Sequence, residues 1–110
     1  MHKLNDEMRA CIEACLSSHS ACYGMAMNHC LEAGGRHVEP AHFRLMIECA
    51  EACATAARFM MIGSERHTQM CRLCADVCEA CAASCEATGD MQECVVACRR
   101  CAEHCRQMAA

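Results

Sequence analysis

Cys71-Arg72-Leu73-Cys74-Ala75-Asp76-Val77-Cys78-Glu79-Ala80-Cys81, continued by Ala82-Ala83-Ser84-Cys85, decides the fold. Its five cysteines recur at spacings of three and four. A helix turns about 100° per residue, so they fit one arc of about 80°. In an amphipathic helix the stripe that faces inward is the most apolar one. Arg72 lies opposite the thiols, so the stripe faces a core.

The same equipment recurs along the chain. Cys11-Ile12-Glu13-Ala14-Cys15, Cys49-Ala50-Glu51-Ala52-Cys53, Cys74-Ala75-Asp76-Val77-Cys78 and Cys94-Val95-Val96-Ala97-Cys98 are all Cys-x-x-x-Cys. Cys11, Cys15 and Cys22 fall within about 40°, with Cys30 at the edge of that side. Cys49 and Cys53 are about 40° apart, and Cys94, Cys98, Cys101 and Cys105 share about 60°. Glu13, Arg44, Glu51, Arg58, Arg99 and Arg106 lie opposite or nearly so.

The breaks are equally regular. Gly34-Gly35 closes the first segment, and Glu39-Pro40 opens the second, where proline suits the first helical turn. Gly63-Ser64 divides the second from the third, with Ser64 as the expected N-cap. Gly89 is the expected C-cap of the third, and Asp90-Met91-Gln92-Glu93 has the form of a capping box. Helices are predicted at about 5–33, 40–62, 65–87 and 90–108, with ends uncertain by about 2–4 residues. Short connections make these an all-α, antiparallel, up-down-up-down four-helix bundle with a cysteine-lined core, one domain over 1–110.

Fifteen Cys and ten Met in 110 residues, with three aromatics and no Trp, leave little Leu, Ile or Val for packing. A buried thiol behaves as a small hydrophobe, but contributes little area, so packing alone does not account for so many. A secreted disulfide scaffold fits poorly. The cysteine number is odd, and Met1–Glu7 lacks the ~7–15 apolar residues of a leader's core. No run approaches the ~18 apolar residues of a membrane span. Cysteines four apart on a helix point side by side, which suits a disulfide badly. The expectation is a reducing cytoplasm with thiols free or metallated. A net charge of −4 with scattered Lys and Arg gives nucleic-acid binding no support.

Thiolates select copper(I), zinc or iron–sulfur clusters. One copper(I) replaces one thiol proton and leaves a filled core neutral. A four-thiolate zinc site carries −2, and several in one narrow bundle would each leave buried charge that costs several kcal/mol. Helical spacers without Gly or Pro do not wrap an iron–sulfur cluster well. Copper(I), many ions per chain, is therefore favoured. A zinc-binding or thiol redox-buffer protein, and an iron–sulfur electron carrier, stay as alternatives.

The chain resembles the cytosolic bacterial copper-storage proteins over about residues 8–110. Cys11-Ile12-Glu13-Ala14-Cys15, Cys71 through Cys81, and Cys101-Ala102-Glu103-His104-Cys105-Arg106-Gln107-Met108-Ala109-Ala110 carry the resemblance. It implies a thiol-lined bundle that stores copper(I), and a homotetramer. The chain departs from that pattern at Ser18, Met25, His29, His42 and Met91, inward positions where further cysteines are expected.

His29, His42 and Met91, with Cys30 and Cys85, fall near the Gly34/Gly89 end and are candidate ligands and a candidate entrance. His67, Met8, Met60 and Met108 fall at the other end. His2, His19, His37 and His104 are read as surface residues. Ile12, Leu16, Tyr23 and Met27 on the first helix, and Phe43, Ile47, Ala54 and Met61 on the second, form an apolar stripe away from the thiols. Such a stripe predicts a homo-oligomer. The copper donor and acceptor are not legible. No Ser/His/Asp set or phosphate loop is visible, and the thiols lack an activating cation, so no enzyme is expected.

Overall fold

A computed structural model describes residues 4–110. Met1, His2 and Lys3, including the surface reading of His2 and the start of the stretch read for a leader, lie outside the described residues. Among the described residues the chain is helical, without strands. Helix α1 (Asp6–Gly24) runs into a π-helical segment (Met25–Cys30) and a final turn, α2 (Leu31–Ala33). A 3₁₀ turn (Gly35–Val38) leads to α3 (Pro40–Ile62), followed by α4 (His67–Thr88) and α5 (Gln92–Ala109). α1, α3, α4 and α5 form the bundle: α1 packs on α3 and α5, and α4 packs on the same two.

Local chemistry sets the ends. The Met8 N–H donates to Asn5 Oδ1 at 2.7 Å, capping α1, with Asp6 and Glu7 favourable in its first turn. The His42 N–H donates to Glu39 Oε1 at 3.1 Å, with Pro40 just inside the helix. Gly63 takes the left-handed conformation, φ 75°, and the Ser64 N–H reaches back to the Phe59 carbonyl at 3.0 Å, closing α3.

Two expected caps differ. Ser64 does not cap α4: its Oγ accepts from the Arg66 N–H at 3.0 Å, holding a turn two residues before the helix. Asp90 has φ 59°, and α5 starts at Gln92 without a side-chain cap, so no capping box forms. Gly89 does close α4, its N–H on the Cys85 carbonyl at 3.0 Å.

The π segment determines where Cys30 points. The Leu31 N–H bonds to the Ala26 carbonyl, five residues back. A π turn takes up one residue more than an α turn. In a regular helix Cys30 would sit about 80° from Cys22; absorbing one residue brings it to about 20°. Cys30 is accordingly buried with the other thiols. His29 swings outward instead, a third exposed at its side chain, with Nε2 3.6 Å from Asp90. Its expected place on the thiol face is therefore corrected.

The bundle is 47 × 22 × 19 Å, long and narrow. The outer faces of α4 and α5 carry charge: Arg106 meets Glu79 at 2.7 Å, and Arg99 pairs with Glu86. The outer face of α1 and α3 is more apolar. Leu16, Met27 and Met61 are exposed, and Tyr23, Phe43 and Ile47 are half-buried. Ile12 and Ala54, expected in that stripe, are buried within the chain itself. No helix among the described residues is long and apolar enough to cross a membrane.

Candidate metal centre

All fifteen cysteines are free thiols, buried and 0% exposed. Four helices place fourteen of them in a file along the bundle axis. Starting from the Met8/Met108 end, Cys105 lies 3.8 Å from Cys11 and 3.6 Å from Cys15. Cys101 lies 3.6 Å from Cys15, 3.8 Å from Cys53 and 3.9 Å from Cys74. Cys78 is 3.4 Å from Cys53 and 3.7 Å from Cys49. Cys98 is 3.8 Å from Cys49 and 3.6 Å from Cys22. Cys81 continues to Cys85 at 4.0 Å, and Cys94 packs by Cys22 and Cys85.

Four groups of thiols converge within 4.8 Å: Cys11, Cys71, Cys105; Cys15, Cys74, Cys101, Cys105; Cys53, Cys74, Cys78, Cys101; and Cys22, Cys49, Cys81, Cys98. These groups overlap, since Cys74, Cys101 and Cys105 each belong to two. With metal–sulfur bonds of about 2.3 Å, two sulfurs on one ion stand about 4.0 Å apart at 120°. The observed spacings therefore accept a metal with small movements. Shared sulfurs act as bridges. Zinc with four thiolates of its own cannot occupy all of these groups at once, whereas a two- or three-coordinate monovalent ion can.

The thiols differ in acidity. Cys53 is held far below the ordinary thiol range, first by Cys101 donating to it. Cys98 and Cys105 are held down likewise, first by Cys22 and by Cys101. Cys22 is lowered to about 6, first by Cys49, and Cys85 to about 4, first by Cys81, with His42 also helping. Their neighbours are pushed up: Cys49 first by Cys22, Cys101 first by Cys105, and Cys71 to about 12, first by Cys105. Lowered thiols thus alternate with raised ones, each lowered sulfur accepting S–H donors from its neighbours.

The non-cysteine candidates divide. Ser18 is fully buried and donates to Cys98 Sγ at 3.7 Å. Met91 is buried, and Met25 only half-buried. His42 is buried at the floor of a groove lined by Arg36, Glu39, Ser84, Ala87 and Thr88. Its Nδ1 lies 2.7 Å from Ser84 Oγ, and its Nε2 is buried without a partner. With Nδ1 engaged by Ser84, the free Nε2 is the ring atom open to a metal, the arrangement by which outer partners orient ligating histidines. His29 Nε2 is likewise buried without a hydrogen-bond partner, 3.6 Å from Asp90, and its ring packs edge-on against His37 with centroids 4.9 Å apart.

Sequence reasoning missed two residues. His37 was assigned to the surface, yet its Nδ1 lies 3.9 Å from Cys30 Sγ. Met46 was not singled out, and its Sδ lies 3.7 Å from the same sulfur. Met46 sits four residues after His42 and three before Cys49, so helical spacing placed it on the thiol face. For His37 no pattern existed, because the 3₁₀ turn folds it back. His19 is also half-buried, with Nδ1 2.8 Å from the Ala50 carbonyl, rather than wholly at the surface.

At the other end Met60 is fully buried, and Met8, His67 and Met108 are half-buried. His67 Nδ1 is occupied by the Ser64 carbonyl at 2.9 Å.

The chain is similar to several known proteins. A protein from Nitrosospira multiformis, Nmul_A1745, superposes with a TM-score of 0.94 at 54% identity, covering 96% of this chain and 97% of that one. A structure described as the Cu(I)-bound copper storage protein BsCsp3 gives 0.87 at 41%, covering 96% and 100%. The apo form of copper storage protein 3 from Bacillus subtilis gives 0.77 at 42%, covering 93% and 98%. An uncharacterized cysteine-rich protein of Bacillus subtilis, YhjQ, is 43% identical over 68 residues, 62% of each sequence, so the match spans less than two thirds of that relative. The model of the copper storage protein family, Csp, matches residues 4–110, and the chain belongs to that family.

Proposed function

We propose that this chain stores copper(I), many ions per molecule, on the thiolates of its bundle core, and so sequesters the metal. One observation carries the reading: fourteen thiols form an unbroken file in which three of the four converging groups share sulfurs. Bridging thiolates suit copper(I) and leave a filled core neutral, since each ion replaces a proton. Family membership and the copper(I) named for a structural relative support it. A reducing cytoplasm is the compartment in which fifteen free thiols persist, and the chain is read as a cytoplasmic protein. We read the role as storage rather than catalysis, since all fifteen thiols are buried. The outer face of α1 and α3 is read as a homo-oligomer interface, a tetramer being the expected form, and the copper donor and acceptor are unnamed partners.

The test is anaerobic titration of reduced protein with buffered copper(I) and, separately, zinc. Copper should approach one ion per thiol. Zinc should stop near one per four thiols, because the overlapping groups cannot each have their own tetrad. Equal numbers of the two ions would overturn the reading.

A further inference from the structure

Cys30 stands apart from the other thiols. Its near neighbours are not thiols: Met46 Sδ and Met91 Sδ each lie 3.7 Å from its Sγ, and His37 Nδ1 lies 3.9 Å away. Met46 and Met91 are completely or almost completely buried, so two thioethers converge on one buried thiol. The π segment gives Cys30, the 3₁₀ turn gives His37, α3 gives Met46, and the N-cap position before α5 gives Met91. Two ligands about 2.3 Å from one ion stand about 4.0 Å apart at 120°, and each of the three partners lies close to that separation from Cys30 Sγ.

We infer that Cys30, His37, Met46 and Met91 form a separate mononuclear site for a soft monovalent cation at the Gly34/Gly89 end of the bundle. The proposal rests on the storage reading and deepens it. Its chemistry differs from that of the file. Two thioethers and an imidazole are neutral, so one thiolate balances one monovalent ion, and the Cys30 proton leaves to solvent as the ion binds. A divalent ion would leave a buried positive charge, and thioethers select soft ions, so zinc is excluded on both counts. No second thiolate bridges to Cys30, so the ion is held by weaker ligands than ions inside the file. The site fills last and empties first.

The bland account of Met46 and Met91 is that two flexible side chains plug the end of the bundle. Silver(I), a soft monovalent probe, separates the accounts. Protein carrying ¹³C-methyl methionine is titrated to saturation with silver(I), beside the Met46→Leu/Met91→Leu variant, which conserves volume and assigns the two resonances. The expected result is that both methyl signals shift together, only after the file has filled, and that the variant saturates one ion per chain lower. A chelator should then remove one ion per chain in a fast phase that the variant lacks. Methyl signals unmoved at saturation, or an unchanged capacity in the variant, would overturn the site and leave storage intact. Failure of the file itself to take up silver would sink the storage reading and this site with it. Wild-type spectra suffice even if the variant folds poorly.

Discussion

At Ser18 the thiol file has a gap in its chemistry but not in its packing. The residue is fully buried, with its Oγ 3.7 Å from Cys98 Sγ, where a further sulfur would join the group of Cys22, Cys49, Cys81 and Cys98. Ser18→Cys should therefore raise copper capacity by about one ion per chain without loss of fold, as counted by anaerobic titration; unchanged capacity would show that the position is not in the file. The thiols also set a pH dependence. Cys71 is raised to about 12, first by Cys105, and Cys30 is raised first by burial. A thiol raised in the fold stabilises it below the unfolded value of 9.0. That contribution is lost as pH rises towards the folded value, because the unfolded chain releases its proton first. Denaturant melts of reduced apo protein should show lower stability at about pH 10 than at about pH 8. The inward direction of most cysteines was legible, because spacing on a regular helix determines a face. His37 was not, since its place comes from a turn that no periodicity describes.

At the scale of the element, the π segment explains why straight-helix geometry misplaced His29 and put Cys30 at the margin. The π segment Met25–Cys30 carries the phase shift that turns Cys30 inward, and the sequence has no Pro or Gly there to mark it beyond Gly24. Deleting the exposed Asn28 should restore a regular α-helix and leave Cys30 facing the core, because the extra residue is what the π turn absorbs. Inserting Ala after Met27 should instead turn Cys30 by about 100°, out of the core. Thiol labelling of the reduced apo protein is the measurement: one fast-reacting cysteine in the insertion variant, none added in the deletion variant. The reverse would show that the π turn does not set the register. Caps were legible where a side chain reached a helical N–H, as at Glu39. They failed at Ser64 and Asp90, where the chain spends two residues on a turn before the helix begins.

For the whole molecule the question is what holds a bundle whose core is mostly sulfur and Ala. Small side chains let four helices approach closely, and Met46, Met60 and Met91 are the largest side chains fully buried among them. The outer apolar face of α1 and α3 adds to this if copies associate there. Tyr23→Glu or Ile47→Glu would bury a charge in that contact, and sedimentation should then give monomers that still bind copper. The apo state follows from the same balance. A thiol that keeps its proton is a mildly apolar group, so the metal-free core carries few of the charges that unfold an empty zinc site. Ala, Met, Glu and Arg, all good helix formers, fill most helical positions that Cys does not, and Asn5, Glu39, Gly63 and Gly89 secure the ends without metal. The reduced, metal-free protein should therefore be fully helical by circular dichroism, and copper should add stability rather than create the fold. Binding to the native state alone stabilises by RT ln(1 + [L]/Kd) per site, about 2.7 kcal/mol at a hundredfold excess over Kd. Summed over many sites, loading should move the thermal midpoint upward with each increment of copper, while the helical signal at low temperature stays constant. A random-coil spectrum for the apo protein would mean that copper organises the bundle. The thiols would then have to find one another in the unfolded chain, and the caps and spacing described above would not be sufficient to hold the fold.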